Sequence, residues 1–331
     1  MEGAHIAEIM HKESGVTPLW TPPWPSIEPS LYDAASHPEY GGTAESHLLA
    51  GIMGHNICLD TYGGPSGEEA AVGMPIHGEA PTAQYLENGT GDSISLTGML
   101  PMAQICFERS IRLAANGSVI CFSESVENIS ASDRPIAWTQ HVTLGPPFLA
   151  KGETQFRASV TRSKVTDSEF GGDQQTGAEF SWPLCPKKGG GVMDLRVFSD
   201  AAVSGGFTTH MVDPTRDHAF FLAWSPRAKV VFGYAWKRAD FPWMCRWEEN
   251  HLRTGAPWNG KTMTCAMEFG VSPEIESRRA MVQRGSLWDV PAYRWLPART
   301  RISADYCAFI MSAESVPESA VWDGHESVQL T

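Results

Sequence analysis

Glycine and proline recur along the whole of this 331-residue chain, which contains 31 glycines and 23 prolines. The segments between them are short and rich in valine, isoleucine, phenylalanine, tryptophan and threonine. This pattern is typical of many strands joined by frequent turns, and it disfavours strand-helix-strand units. We therefore predict an all-β protein of packed antiparallel sheets, forming a single domain over residues 1–331. Strands are expected at 156–162, 228–236, 262–269 and 305–311.

Two neighbouring segments have the pattern of a hairpin. An apolar run at 104–113 is followed by A-A-N-G and then by a second run at 118–128. An Asn-Gly pair suits a tight turn between two strands, because both residues accept a positive φ. We predict an antiparallel hairpin that turns at Asn116 and Gly117.

Helices are expected to be few and short. One candidate is the N-terminal A-H-I-A-E-I-M-H at 4–11, and the other is 272–285, with Ser272 as N-cap, Pro273 at the first helical position and Gly285 as the stop. The proline-rich stretch at 17–30 is unsuited to a central strand. We expect residues 1–40 to form an irregular arm packed on the sheets.

Composition excludes several classes of function. The formal net charge of −13 argues against a nucleic-acid partner, because phosphate binding needs clustered lysine and arginine. No run of eighteen apolar residues is present, so we expect no membrane span. The seven scattered cysteines include no C-x-x-C pair, and the first residues lack the pattern of a signal peptide. Reduced thiols and a cytoplasmic location are the expected outcome. The sequence does not indicate the oligomeric state.

A short stretch at 74–80, M-P-I-H-G-E-A, ends an apolar run on a histidine, a glycine and a glutamate. Its simplest interpretation is a strand that leaves the core and turns at Gly78, with His77 and Glu79 in solvent. Two further titratable residues lie in apolar surroundings, His141 in W-T-Q-H-V-T-L and Glu268 in M-T-C-A-M-E-F-G-V. Alternation along 262–269 places Glu268 on the more polar face of its strand, as the wall of a cleft requires.

The order of these segments resembles the aldose 1-epimerase (galactose mutarotase-like) superfamily over about residues 51–273. The run G-I-M-G-H-N-I-C-L-D-T-Y-G-G-P-S before M-P-I-H-G-E-A is similar to the family stretch that precedes an active-site histidine. The hairpin, the turn at 126–135 and the strand with a second histidine follow in the family's order. The run T-C-A-M-E-F-G-V-S-P looks like its late strand with a glutamate. The resemblance implies a β-supersandwich of stacked antiparallel sheets with a sugar-binding cleft.

The resemblance also implies a reaction, the interconversion of sugar anomers without a cofactor. Glu268 would be the general base, His141 the general acid, and His77 would polarise the ring oxygen. Further substrate contacts are expected from His55, Glu79, His210 and Trp247, the last because twelve tryptophans offer flat surfaces for a pyranose. The chain departs from the family pattern at Glu79 and Pro81 and has no arginine within 42–60, which disfavours a sugar phosphate.

Two other classes of function stay open at this point. A metal-dependent sugar isomerase or lyase on the same fold would use His55, His77, Glu79 and His141 as ligands, since three imidazoles and a carboxylate suit a divalent metal. A non-catalytic carbohydrate-binding protein would keep the cleft without the reaction. Metal analysis and sugar-binding calorimetry would separate these two from an epimerase.

Overall fold

The structure is a computed structural model that describes residues 2–331. Its strands are, in chain order, β1 His55–Asp60, β2 Tyr85–Thr90, β3 Ser93–Leu100, β4 Ile105–Leu113, β5 Val119–Asn128, β6 Arg134–Leu144, β7 Gln155–Ala158, β8 Val160–Val165, β9 Glu179–Ser181, β10 Leu184–Pro186, β11 Val192–Asp194, β12 Ser204–Val212, β13 His218–Ser225, β14 Val230–Lys237, β15 Trp243–Asn250, β16 Met263–Gly270, β17 Ser286–Leu287, β18 Val290–Pro291, β19 Arg294–Leu296, β20 Arg301–Ser312, β21 Ala320–Trp322 and β22 Val328–Leu330. The helices are short: α1 Ser46–Leu49, α2 Gly67–Ala71 and α3 Arg278–Arg284, with 3₁₀ turns at Pro29–Leu31 and Pro38–Tyr40.

Two eight-stranded antiparallel sheets make up most of the fold. Sheet I has the strand order β1-β6-β16-β15-β12-β8-β9, with β19 pairing with β6. Sheet II has the order β2-β3-β4-β5-β20-β14-β13-β7. The prediction of an all-β fold built of stacked antiparallel sheets with few short helices is therefore confirmed.

The core lies between the facing sides of the two sheets. Trp138 and Val142 of β6 belong to the same buried cluster as Phe122 and Tyr306 of sheet II. Because successive side chains of a strand point to opposite faces, His141 of β6 lies on the other face of sheet I, turned away from sheet II. This outer face of sheet I carries the site described below.

The predicted strands and hairpin are confirmed, except that one predicted strand is divided into two. Strand β20 covers the segment predicted at 305–311, and β14 and β16 match those predicted at 228–236 and 262–269 but begin at Val230 and Met263. Strand β4 pairs with β5 across the turn at Asn116 and Gly117. Gly117 has a φ of +70°, as the turn requires. The segment 156–162 forms two strands instead of one. Ser159 separates β7, which belongs to sheet II, from β8, which belongs to sheet I.

The predicted N-terminal helix at 4–11 is wrong. Ile6 instead forms a β-bridge with His55, with backbone hydrogen bonds of 2.9 and 3.0 Å between the two residues. This segment extends the edge of sheet I beside β1. Pairing with an exposed strand edge satisfies backbone groups that a short isolated helix would leave to water.

The second predicted helix is shorter than expected. It begins after Ser277, whose hydroxyl accepts a hydrogen bond from the Ala280 amide, and it ends at Gly285 as predicted. Ser272 and Pro273 do not begin a helix. They follow β16 directly, and the Pro273 carbonyl accepts a hydrogen bond from the Thr209 hydroxyl, which holds this stretch against the outer face of sheet I.

The stretch at 17–30 is mostly irregular, as predicted, and it lies against β6 through a bridge between Leu19 and Leu144. The cysteines, all within the described residues 2–331, are free thiols, and five of the seven are buried. Over the same residues, the structure contains no helix of the length and apolar character that a membrane crossing needs.

Candidate functional site

A pocket of about 310 Å³ opens on the outer face of sheet I. Its floor is formed by strands of that sheet, and its rim by the N-terminal arm and by loops from both halves of the chain. The lining residues are Trp20, Glu45, Leu48, Leu49, Ile52, Gly63, Gly64, Ile76, His77, His141, Thr143, Phe170, Phe207, Trp247, Arg253, Trp258, Glu268 and Ile275.

His141 and Glu268 form the polar centre of the pocket floor. They are direct partners in the register of β6 with β16, so their side chains leave neighbouring strands on the same face. The His141 Nε2 atom lies 3.4 Å from the Glu268 Oε1 atom. Both side chains are almost completely buried. The Nδ1 atom of His141 lies 3.0 Å from the Thr143 hydroxyl, which fixes the ring on its other side.

Tyr62 connects this pair to the segment that bears His77. It follows β1, and its hydroxyl donates a 2.5 Å hydrogen bond to the Oε2 atom of Glu268. Its backbone carbonyl accepts a 2.6 Å hydrogen bond from the Nδ1 atom of His77. The rings of His77 and His141 meet edge to face, with centroids 5.9 Å apart. The structure therefore brings the three predicted catalytic side chains into one pocket.

The stretch M-P-I-H-G-E-A is shaped by its contact with β1. The Leu59 amide donates to the His77 carbonyl, and His77 adopts a φ of +64°. Gly78 follows with a φ of +75°, and a Cβ atom at that position would lie 2.2 Å from the Leu59 carbonyl oxygen. Only glycine allows so close an approach of the two backbones. This approach directs the His77 side chain into the pocket.

Burial controls the protonation of these groups. It raises the pKa of the Glu268 carboxyl from 4.5 to about 8, and the hydrogen bond from Tyr62 offsets only part of this rise. It lowers the pKa of His141 from 6.5 to about 3, with His77 acting in the same direction. Burial also lowers the pKa of His77. At neutral pH the carboxyl is protonated and both imidazoles are uncharged.

The hydrogen bonds assign positions to the protons. Because Tyr62 donates to the Oε2 atom of Glu268, the carboxyl proton belongs on Oε1, which faces the Nε2 atom of His141. His77 donates from Nδ1 to a carbonyl, so its Nε2 atom is unprotonated in the neutral ring and accepts hydrogen bonds. The pocket thus presents one acidic proton, which faces His141, and two basic nitrogen atoms, those of His77 and His141.

Aromatic rings and one ion cluster form the mouth of the pocket. Trp20 and Trp258 stack with centroids 6.3 Å apart, and Trp247 meets Trp258 edge to face. The Arg253 guanidinium lies over the Trp258 ring at 4.8 Å, and one of its nitrogen atoms is 3.4 Å from a carboxylate oxygen of Glu45. The predicted contact residue Trp247 therefore lines the pocket.

Two predicted contact residues lie on the wrong face of sheet I. His55 is buried between the sheets, with ring nitrogen atoms 2.9 Å from Gln140 and from the Tyr234 hydroxyl. His210 is also completely buried, and its Nδ1 atom lies 2.8 Å from the Ser163 hydroxyl. Both point toward sheet II, so neither lines the pocket, and the expectation that they contact substrate there is not met.

Glu79 also lies outside the pocket. Its carboxylate accepts hydrogen bonds from the backbone amides of Met102 and Ala103, which makes it a structural clamp between two loops. Of the four ligands of the metal alternative, only His77 and His141 share the pocket, whereas His55 lies between the sheets and Glu79 binds loop amides elsewhere. Within residues 2–331, no group of three or more histidine, cysteine, aspartate or glutamate side chains is arranged to hold a metal. The metal-dependent alternative is not supported.

Sequence reasoning missed several residues of the pocket. Tyr62 carried a signal, because it stands in D-T-Y-G-G between β1 and the turn that resembles the family stretch. Thr143 carried one too, since it lies two positions after His141 on the same strand face. Glu45, Arg253 and Trp258 come from loops, and no periodic pattern places a loop residue against a sheet.

The arrangement of the two sheets occurs in proteins of known structure. One is a galactose mutarotase related enzyme from Lactobacillus acidophilus, 13% identical, with 95% of this chain and 94% of that chain aligned and a TM-score of 0.61. A galactose mutarotase-like protein from Clostridium acetobutylicum is 14% identical over 94% of this chain and 90% of that chain, with a TM-score of 0.60. Another galactose mutarotase-like protein, from Lactobacillus casei ATCC 334, is 12% identical over 94% of this chain and 95% of that chain, with a TM-score of 0.58.

These likenesses show that the chain has the galactose mutarotase-like fold, as the sequence resemblance predicted. No protein-family model matches the sequence, and no curated protein matches it either. The same fold serves different reactions, so the function depends on the side chains of the pocket.

Proposed function

We propose that the protein is an aldose 1-epimerase-like isomerase that interconverts the two anomers of a cyclic sugar in this pocket. The observation that carries the proposal is the 3.4 Å separation of His141 Nε2 and Glu268 Oε1 on the pocket floor. In a cyclic hemiacetal, the anomeric hydroxyl and the ring oxygen are bonded to the same carbon atom. A catalyst that takes a proton from one and gives a proton to the other needs its two groups side by side.

The neutral pair supplies such a transfer. His141 Nε2 takes the proton of the anomeric hydroxyl while Glu268 Oε1 gives its proton to the ring oxygen. The bond between the anomeric carbon and the ring oxygen breaks, and a carbonyl forms at that carbon. An imidazolium and a carboxylate remain next to each other and stabilise each other's charge. After rotation about the bond to the next carbon, both protons return and the ring closes on the other face.

This sequence of steps exchanges the roles that the sequence resemblance implied. Glu268 acts as the acid in ring opening and His141 as the base, because burial keeps the proton on the carboxyl. His77 also changes its role. Its unprotonated Nε2 accepts a hydrogen bond from a substrate hydroxyl, so it orients the substrate and does not polarise the ring oxygen.

Polarimetry of purified protein tests the proposal. Mutarotation of an aldose is measured for the wild type and for Glu268→Gln and His141→Asn, after subtraction of the spontaneous rate. We expect each substitution to lower kcat by ~10²- to 10⁴-fold, because each removes one proton-transfer group. Full activity in either variant, or sugar binding by the wild type without mutarotation, overturns the proposal.

Two buried residues outside the pocket provide matched controls. Glu274 has a buried carboxyl with a raised pKa and accepts a hydrogen bond from the Thr166 hydroxyl. His210 is a buried histidine on the opposite face of sheet I. Glu274→Gln and His210→Asn are expected to keep kcat within about threefold of wild type, so loss of activity in the test variants cannot be attributed to burial alone.

The single domain over residues 1–331 and the cytoplasmic location remain proposals. The bridges of Ile6 with His55 and of Leu19 with Leu144 support the first, because they tie the arm at 1–40 to sheet I. The seven free thiols support the second. Limited proteolysis that released the arm without unfolding the sheets would contradict the single domain.

A further inference from the structure

The walls of the pocket between its floor and its mouth are apolar. They are formed by aliphatic and aromatic side chains, among them Leu48, Leu49, Ile52, Ile76 and Ile275. Trp20, Trp247 and Trp258 add flat rings at the mouth. A ligand held here has its body against hydrocarbon on most sides.

Most polar side-chain atoms on the pocket floor already have partners, and the indole N–H groups of Trp20, Trp247 and Trp258 lie toward the mouth. The Thr143 hydroxyl is hydrogen-bonded to His141, and the Nδ1 atom of His77 donates to a backbone carbonyl. The Oε2 atom of Glu268 accepts a hydrogen bond from Tyr62. What remains on the floor is one patch, made of His77 Nε2, His141 Nε2 and Glu268 Oε1. Ring opening uses this patch for the anomeric hydroxyl and the ring oxygen, so few side-chain partners are left for further hydroxyls.

The ion cluster at the mouth adds no free charge for a ligand to bind. Arg253 contributes the one cationic side chain of the lining, and it is 3.4 Å from Glu45 and 3.7 Å from Glu249. Its guanidinium also lies over the Trp258 ring. A charge that is already matched by two carboxylates is poorly placed to hold a phosphate group. The pocket therefore disfavours sugar phosphates as substrates.

A free hexose fits such a pocket poorly. Each hydroxyl group that leaves water without finding a new partner costs free energy, whereas a methyl or methylene group against the same wall gains it. We infer that the substrate is a hydroxyl-poor cyclic hemiacetal, a deoxygenated or O-methylated pyranose, in preference to a free hexose. This inference rests on the proposed function, because it assumes that the anomeric centre sits on the floor.

Two pairs of sugars test it by polarimetry on the wild-type protein. D-glucose is compared with 2,3,4,6-tetra-O-methyl-D-glucose, and D-galactose with 6-deoxy-D-galactose. Both members of a pair keep the anomeric hydroxyl and the ring oxygen. We expect kcat/KM to be at least tenfold higher for the hydroxyl-poor member of each pair. Equal or higher values for the free hexoses overturn the inference while leaving the epimerase proposal intact.

A binding measurement separates this inference from the proposed reaction. If none of the four sugars is turned over, the epimerase proposal fails, and tryptophan fluorescence then reports whether the pocket still binds the hydroxyl-poor sugars more tightly, since three tryptophans line it. Tenfold tighter binding supports the inference, and equal or weaker binding overturns it.

A substitution in the wall gives an independent test. Ile76→Asn places an amide in the apolar wall and is expected to reduce the preference for hydroxyl-poor sugars at least threefold. Val72→Asn makes a similar change at a position that is 73% exposed and outside the pocket, and it is expected to leave the preference unchanged. An unchanged preference in a folded Ile76→Asn protein contradicts the inference.

Discussion

His141 and Glu268 face each other from adjacent strands, with the Nε2 atom of one 3.4 Å from the Oε1 atom of the other, in a pocket that excludes most water from both. An ion pair in this position would lose the hydration of two charges. The neutral form avoids that loss and holds a single proton between the two groups. Ring opening of a hemiacetal gives a proton to the ring oxygen and takes one from the anomeric hydroxyl, and ring closure reverses both transfers. A neutral acid next to a neutral base can carry out both steps.

The activity is expected to have a broad pH plateau with a loss on the alkaline side. The active form needs Glu268 protonated and His141 neutral, and this form prevails between the pKa of His141, about 3, and that of Glu268, about 8. Above pH 8 the carboxyl loses its proton, so kcat/KM should fall about tenfold per pH unit. Initial mutarotation rates from pH 4 to pH 10, corrected for the buffer-catalysed reaction, measure this profile.

Ordinary pKa values would give a different profile. With the reference values of 4.5 for the carboxyl and 6.5 for the imidazole, the form with one ionised carboxyl and one protonated imidazole would prevail only between them. Activity would then decline above pH 6.5. An alkaline limb near pH 6.5 instead of pH 8 therefore contradicts the neutral pair.

Much of this site could be predicted from the sequence, because strand alternation determines which side chains share a face. That rule predicts Glu268 on the more polar face of its strand, and in the structure it lies there, beside His141. Alternation does not show which face of a sheet is inner. His210 lies in an equally apolar strand and points the other way, into the core. Only the packing of the second sheet decides between these outcomes.

The N-terminal segment was harder to predict, because its conformation also depends on tertiary packing. The segment at 4–11 has helical spacing of its apolar residues, but the free edge of β1 offers it a partner strand. Local propensity favours the helix by less than the tertiary pairing favours the extended form. The same limit applies to Tyr62 and Arg253, whose positions depend on how loops meet the sheet.

Tyr62→Phe is expected to shift the alkaline limb to higher pH. The Tyr62 hydroxyl donates to Glu268 and lowers the pKa of that carboxyl, so its removal lets burial raise the pKa further. We also expect kcat to fall ~10-fold at pH 7, because the carboxyl loses the bond that orients it. The pH dependence of kcat measures both effects. A limb that moves to lower pH, or stays in place, contradicts the assigned role of Tyr62.

Glu268→Gln is expected to stabilise the fold relative to wild type as the pH rises. In the wild type the folded pKa of Glu268 is about 8, against 4.5 for the reference group, so the folded state binds more protons between these pH values and stability falls as pH increases. Each tenfold difference in proton affinity corresponds to ~1.4 kcal/mol. The glutamine side chain does not ionise, so the stability of the variant does not fall with pH for this reason.

Thermal unfolding at pH 5, 6.5, 8 and 9 measures the difference. The melting temperature of the variant minus that of the wild type should grow from pH 5 to pH 8 and level off above it. Glu318→Gln is a suitable control, because Glu318 is an exposed carboxylate whose pKa is lowered by Arg157. Its difference from wild type should not grow with pH over this range. A constant difference for Glu268→Gln would show that its carboxyl is ionised in the folded state.

Arg109 and Glu124 form a buried ion pair in the core between the sheets, and its removal is expected to be costly. Arg109 Nε donates a 2.7 Å hydrogen bond to Glu124, and a second guanidinium nitrogen donates to Gln140, the residue before His141 on β6. Both charged side chains are fully buried. Arg109→Met would leave the Glu124 carboxylate without its counter-charge, and we expect a loss of ~3 to 5 kcal/mol in the free energy of unfolding.

Urea denaturation of two variants distinguishes a lost charge from lost packing. Arg109→Met combined with Glu124→Gln removes both charges, so it should recover a large part of the stability that Arg109→Met loses. The amide oxygen of glutamine can still accept from Trp138 and Gln140, which both donate to the Oε2 atom of Glu124, and its NH2 group then faces the Tyr306 hydroxyl, which can accept. If the double variant is no more stable than the single one, the cost comes from packing around the guanidinium, and the buried carboxylate is not its cause.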